Sequence, residues 1–198
     1  MSSGITVISG PTAVGKGTVV SMLARRHPAV WVSVSATTRP PRPTETDGVH
    51  YLFVSDAEFD DLVEHDGLLE WATVHGRERY GTPAAPVRAA LAAGRAVILE
   101  IDIQGARQVR QRLPEARFVF LAPPDWATLE GRLRGRGTES EAERARRLET
   151  ARDELAARDE FDHVVVNGEL GRTVAELVSL LGLEDSADAK VHLEHSHS

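Results

Sequence analysis

The sequence predicts an α/β fold: a three-layer arrangement in which a parallel sheet is covered by helices on both faces. Three observations carry that prediction. Short apolar runs alternate with helical segments along the chain. One run, residues 96–101, is almost continuously apolar, as expected of a strand buried on both faces. A glycine-rich loop joins the first strand to the first helix.

Each element has its own signal. Residues 5–9 are a β-branched strand ending in a Gly/Pro turn, and residues 16–26 then read as a helix. Residues 30–34 read as a second strand. The alternation breaks over residues 35–82, which hold a Pro/Arg-rich loop, a strand at 49–54 and a helix opened by Ser55 and Glu58 at capping-box spacing. A strand at 68–74 and a turn at His75-Gly76 follow. This stretch reads as a small α+β lobe inserted after an early strand. Beyond the strand at 96–101, a helix at 103–112 is stopped by Pro114. Strands at 117–121 and 163–166 and an apolar-faced helix at 173–181 complete the core. A second interruption, 132–147, is rich in Arg, Gly and Glu and has little apolar periodicity before Leu148. Gly135 and Gly137 are its candidate hinges, and Thr138 with Glu141 has the spacing to cap a helix running towards Ala157. The expected organisation is one domain over 4–183. Its core is 4–34, 83–131 and 148–183, its inserted lobe 35–82 and its lid 132–147. The polar tail 184–198 is expected to be disordered, and its histidines read as part of that terminus rather than as a metal site.

Composition narrows the functions open to the chain. Its 198 residues suit one compact domain, and 41% apolar content can fill a core. No apolar run approaches the roughly 20 residues that a membrane span needs. The opening Met1-Ser2-Ser3-Gly4 lacks the basic and apolar regions of a signal peptide. There is no cysteine, which excludes disulfides, thiolate metal sites and cysteine nucleophiles and fits a cytoplasmic protein. A net charge of -7 argues against a nucleic-acid partner and leaves room for a local basic site.

The most informative segment is Gly10-Pro11-Thr12-Ala13-Val14-Gly15-Lys16-Gly17-Thr18. It follows a strand and opens a helix, the context of an ATP-binding phosphate loop. Glycines let backbone N–H groups curl around phosphate oxygens, and the helix N-terminus adds the positive end of its dipole. Lys16 can reach the β- and γ-phosphates. The residue after such a lysine is usually Ser or Thr, whose hydroxyl binds Mg²⁺; here it is Gly17, followed by Thr18. Mg²⁺ is therefore expected to be held through waters, with Thr18, Glu100 and Asp102 as candidate partners. The two acids stand where an apolar strand ends, the place where open α/β sheets bind ligands, and the sequence equally allows one of them to orient an arginine of 132–147 instead.

A second segment, Ser35-Ala-Thr-Thr-Arg39-Pro-Pro-Arg42-Pro, sets two guanidinium groups three residues apart on a proline-stiffened loop. Such a pair can converge on one phosphate, and the hydroxyls of Tyr51 and Tyr80 can join them. Alone, the segment reads equally well as a solvated basic loop. It is followed by Asp47-Gly-Val-His-Tyr51, Leu69-Glu70-Trp71-Ala72, Tyr80-Gly81-Thr82, Glu100-Ile-Asp102-Ile-Gln-Gly105, Phe120-Leu-Ala-Pro-Pro124, Arg132-Leu-Arg-Gly-Arg136-Gly-Thr-Glu139 and Val165-Val-Asn167. In this order, over residues 4–182, the motifs resemble the guanylate kinase family of P-loop nucleoside monophosphate kinases.

The resemblance implies a kinase with a P-loop core, a GMP-binding lobe and a lid, which uses ATP and Mg²⁺ to phosphorylate GMP in purine metabolism. It implies that Arg39, Arg42, Tyr51 and Tyr80 hold the GMP phosphate. Ser35, Glu70 and Thr82 would face guanine, with Asp102 close by. Arg132, Arg136 and Arg147 would close over the ATP phosphates, and Asn167 would lie on the adenine side. Lys16, Arg39, Arg136 and Arg147 would be the catalytic cations. The chemistry of Glu70 agrees: guanine offers N–H donors at N1 and N2, and a carboxylate only accepts. Judged on its strand alone, Glu70 would read as an ordinary solvent-facing residue. Two alternatives stay open at this point. One is a kinase of the same fold acting on AMP or a pyrimidine nucleotide, against which Glu70 and Ser35 argue. The other is a protein-binding module that has lost catalysis, against which Lys16, Arg39, Arg42, Arg136 and Arg147 argue.

Overall fold

The computed structural model describes residues 4–74, 78–134 and 141–183. In chain order the strands are β1 (Ile5–Ser9), β2 (Val30–Val32), β3 (Ala36–Thr37), β4 (Leu52–Phe53), β5 (Leu68–Val74), β6 (Glu78–Pro83), β7 (Ala96–Glu100), β8 (Arg117–Ala122) and β9 (His163–Val166). The helices are α1 (Lys16–Arg26), α2 (Asp56–Glu64), α3 (Ala84–Ala92), α4 (Ile103–Arg112), α5 (Trp126–Arg134), α6 (Glu141–Ala156) and α7 (Leu170–Leu181). A five-stranded parallel sheet has the order β2-β7-β1-β8-β9, and a four-stranded sheet the order β4-β3-β6-β5. The expected α/β class and parallel core are therefore present. The chain divides into two compact units: Trp31–Arg117 with the residues up to Val7, and Ile8–Val30 with the residues from Phe118 onward.

In the first unit, β3 pairs in parallel with β4 and antiparallel with β6, and β5 pairs antiparallel with β6. The β5–β6 register shifts between Leu68 and Trp71, so the bulge falls at Leu69 and Glu70. Ala36, Phe59 and Leu68 form a small core on which Leu52, Val54, Leu62 and Val63 pack. The capping box of α2 is formed, with Ser55 Oγ accepting from Glu58 N and the Glu58 carboxylate accepting from Ser55 N. Asp102 caps α4, which buries Ile103, Ala106 and Val109.

In the second unit, β8 and β9 pair in parallel, with Phe120 opposite Val164. α1 buries Val19, Val20 and Leu23, α7 buries Val174 and Leu177, and the two helices pack together. Phe161 sets its ring edgewise against Phe118 and Phe120.

The departures from the sequence-based expectations have local causes. The strand expected at 49–54 shrinks to Leu52–Phe53 because Asp47-Gly48 forms a turn. Gly48 has φ 74°, its N–H bonds Tyr51 O, and Asp47 Oδ1 accepts from Phe53 N. The strand expected to reach residue 34 ends at Val32. β3 and β6 have no apolar alternation to betray them and form through pairing. α3 opens on Pro83 with Pro86 in its first turn, where a missing N–H is tolerated. α5 already covers 132–134, the start of the expected lid. The turn at His75-Gly76, the hinges Gly135 and Gly137, the cap Thr138 and the tail lie outside the described residues.

Candidate active site

Three groups of side chains carry the candidate chemistry, one in the second unit and two in the first. In the second unit the loop between β1 and α1 has the shape that phosphate binding requires. Gly10 has φ 150° and Gly15 φ 99°, conformations that L side chains rarely adopt. Space excludes a side chain as well: a Cβ on Gly10 would run into the Leu121 carbonyl, and one on Gly15 would lie 2.8 Å from Asn167 Nδ2. Ala13 also sits in the left-handed region, at φ 61°. The loop is held from behind. Val14 O accepts from Arg132 Nη1 at 2.8 Å and from Asn167 Nδ2 at 2.7 Å, and Arg132 Nη2 donates to Asn167 O at 3.3 Å. Lys16 Nζ donates to the carbonyls of Gly10 at 2.6 Å and Pro11 at 3.3 Å, inside the curl of the loop. Gly17 and Thr18 are exposed on the first turn of α1.

In the first unit, β3, β4 and β6 bring a basic and aromatic cluster together. Arg39 is 7% exposed and leaves β3 beside Tyr80 on β6. Its Nε donates to Tyr80 Oη at 3.1 Å, and its Nη1 and Nη2 donate to the two oxygens of Glu45 at 2.9 and 3.0 Å. Glu45 also accepts from the Arg42 backbone N–H at 2.8 Å. These contacts hold the Glu45 carboxyl at about 2, the Arg39 bond first and the Arg42 N–H second, and they raise Arg39 above its ordinary value. Tyr51 stacks edgewise on Tyr80 with ring centres 5.8 Å apart, and the Arg39 guanidinium lies 5.3 Å from the Tyr51 ring centre. Arg42 is exposed, and Ser35 stands half-buried just before β3.

Glu70, in the β5 bulge, is 4% exposed. Its Oε1 accepts from Thr82 Oγ1 at 2.6 Å. Burial pushes its carboxyl up to about 7; the Thr82 bond opposes that rise and the charge of Asp102 adds to it. Asp102 Oδ1 accepts from Gly105 N at 2.7 Å as the cap of α4. Glu100 ends β7, half-buried.

The structure thus gathers Arg39, Tyr51 and Tyr80 into one cluster and Glu70, Thr82 and Asp102 into another. Arg132, expected over ATP phosphates, is bonded to carbonyls behind the loop. Arg147 is half-buried on α6, while Arg134 pairs on the surface with Glu130 at 2.6 Å. Arg136 lies outside the described residues. Sequence reasoning missed Glu45, Gly105, Gln108 and Glu154, whose Oε2 accepts from Thr12 N in the phosphate loop at 2.7 Å. Gly105 stood inside a motif and Glu45 between two of them, but nothing in their spacing marked their contacts.

The guanylate kinase family model matches residues 2–184. The chain belongs to the guanylate kinase family. It is 60% identical over 179 residues to the guanylate kinase of Cutibacterium acnes, covering 90% of each chain. It is also 60% identical over 177 residues to that of Thermobifida fusca, covering 89% of this chain and 90% of the relative. Among solved structures, the guanylate kinase from Anaplasma phagocytophilum superposes with a TM-score of 0.74 at 29% identity, over 92% of this chain and 86% of that one. Enzymes of this family are nucleoside monophosphate kinases.

Proposed function

We infer that this guanylate kinase family member transfers the γ-phosphoryl group of ATP to GMP, giving ADP and GDP, and so serves purine nucleotide metabolism in the cytoplasm. The observation that carries the reading is Glu70. A buried carboxylate fixed at one oxygen by Thr82 presents acceptors only, which suits the N1 and N2 donors of guanine and leaves adenine unpaired.

In the proposed reaction an oxygen of the GMP phosphate attacks the γ-phosphorus of ATP. The bond from that phosphorus to the β–γ bridging oxygen breaks, and ADP leaves with the electron pair. The transition state is loose, so most of the catalysis is positioning and charge neutralisation. Arg39, Arg42, Tyr51 and Tyr80 hold the attacking phosphate. Ser35, Glu70, Thr82 and Asp102 hold the base. The N–H groups of residues 10–18 cradle the ATP phosphates, while Arg132 and Asn167 keep the loop in shape. Lys16 exchanges the carbonyls of Gly10 and Pro11 for phosphate oxygens and follows the moving charge. Arg136 and Arg147 supply further cations.

Mg²⁺ is the implied cofactor. Among the described residues no three His, Asp or Glu side chains come together as a metal cage. That donor set fits an ion held mainly by phosphate oxygens and water, with Thr18, Glu100 or Asp102 holding a water. When bound, it neutralises charge on the β- and γ-phosphates.

The test follows labelled γ-phosphate. Incubation with ATP and GMP should place the label in GDP, and Lys16→Ala should abolish transfer mainly through kcat while the protein stays folded. Near-normal transfer by folded Lys16→Ala, or label that reaches only water, would defeat the reading.

A further inference from the structure

The reading above uses only the cap of α4, Asp102. The helix meets the base-reading strand at three further places. Gly105, Gln108 and Arg112 are spaced by three and then four residues, so they form one stripe along α4. β5 lies at the end of its sheet, so among the described residues no strand pairs with one side of its backbone. Gln108 takes that place at Trp71: its Nε2 donates to Trp71 O at 2.6 Å and its Oε1 accepts from Trp71 N at 3.1 Å. One turn further along, Arg112 Nη1 donates to Leu68 O at 2.7 Å and pairs with Asp66 at 3.1 Å. The two anchors bracket Leu69 and Glu70, where the register shifts. One turn back, Gly105 leaves the space that the Glu70 carboxylate fills. A Cβ there would lie 2.5 Å from Glu70 Oε2 and 3.0 Å from Cδ.

We propose that Gly105 and Gln108 are positioning residues for base choice: the α4 stripe fixes the Glu70 carboxylate and thereby sets which purine the acceptor site takes. The proposal rests on the reading of Glu70 as the guanine reader. A bulge leaves its extra residue out of the strand ladder, so other contacts must hold its backbone. A carboxylate that must meet two N–H donors together needs placement within about 0.5 Å. Thr82 fixes one oxygen, Gly105 sets the limit for the other, and Gln108 holds the backbone that carries both. What a side chain at 105 meets first is the end of Glu70, not main chain. Gly105→Ala therefore leaves the helix and the strand in place and displaces the reader. Gln108→Leu keeps the side chain's bulk and removes both bonds, and Trp71 is exposed enough for water to serve its backbone.

The experiment compares kcat/KM for GMP and for IMP, which lacks the 2-amino donor, in the full chain and in Gly105→Ala, Gln108→Leu, Glu70→Asp, Glu70→Gln and Gly105→Ala/Glu70→Asp. Gly105→Ala and Gln108→Leu should each lower kcat/KM for GMP by about tenfold or more and narrow the GMP:IMP ratio, with the KM for ATP changed by less than about twofold. Glu70→Asp draws the carboxylate back from position 105. Gly105→Ala should then cost less in that background than in the parent, a coupling that general loss of structure would not produce. If Glu70→Gln collapses the ratio while Gly105→Ala and Gln108→Leu leave it intact, or if the cycle is additive, the proposal is wrong and the reading of Glu70 stands. If Glu70→Gln itself leaves the ratio unchanged, both fall.

Discussion

The Glu45 carboxylate accepts from both terminal nitrogens of Arg39, which leaves the Nε edge of the guanidinium facing the Tyr80 hydroxyl. A bidentate pair of this kind fixes the plane of the guanidinium as well as its charge. It holds Arg39 beside Tyr80 in a fixed plane, from which a phosphate would have to take over the bond between them. Glu45→Gln should therefore raise the KM for GMP by about tenfold and leave the KM for ATP unchanged. A lower KM for GMP in the variant would mean that Glu45 competes with the substrate instead of orienting its receptor. The carboxyl is held at about 2, well below its ordinary value, so the pair's contribution to stability is complete above about pH 4.5 and fades only as pH falls towards 2.

Glu70 behaves in the opposite sense. Its carboxyl is pushed up to about 7 by burial, so in the ligand-free protein it carries a proton below that pH. Its ionisation opposes folding from the ordinary carboxyl range upward, and the opposition is complete above about 7. Guanine's donors favour the ionised form. GMP binding at pH 6 should then release close to one proton, and the Kd for GMP should rise about tenfold per unit as pH falls below 7. Calorimetry in buffers of different ionisation enthalpy counts the protons released, and because the GMP phosphate also titrates near pH 6, the share of Glu70 is the difference between the parent and Glu70→Gln. Glu70→Gln should release close to one proton fewer than the parent, and an equal release from the two would place the ionised carboxylate elsewhere.

The phosphate loop was legible because it rests on residue types at short spacing. The alternation of apolar runs disclosed β1, β7, β8 and β9 for the same reason. The arginine pair was legible only as two cations on one loop: Arg39 joins Tyr51 and Tyr80, whereas the Arg42 side chain is exposed. What stayed hidden depends on contacts between distant segments. β6, Glu-Arg-Tyr-Gly-Thr-Pro, is a strand only because it pairs with β3 and β5. The burial of Glu70 arises from the β5 bulge, from Thr82 and from the packing of α4. None of these is visible in Leu69-Glu70-Trp71, where the carboxylate looks solvent-facing. Arg132 shows the converse: its motif suggested a phosphate ligand, yet its nearest acceptors are the carbonyls of Val14 and Asn167.

Gly17 marks where this loop departs from the commonest pattern. Gly17 and Thr18 are exposed on the first turn of α1, and a water can stand where a hydroxyl would otherwise reach Mg²⁺. Activity should vanish in EDTA and return with Mg²⁺, and Gly17→Ser should change kcat by less than about tenfold, ~1.4 kcal/mol of barrier. An inert parent that Gly17→Ser switches on would show that the hydroxyl was indispensable and that the chain had drifted towards a binding module.

The most direct measurement of the central claim, that Glu70 makes this a kinase for GMP, is the ratio of kcat/KM for GMP to that for AMP, read by ADP release in the parent and in Glu70→Gln. The parent should favour GMP strongly. The variant replaces one acceptor with a donor facing guanine's own donors, so its kcat/KM for GMP should fall by about 10²-fold or more, and the ratio should fall with it. A variant that discriminates GMP from AMP as sharply as the parent would contradict the account.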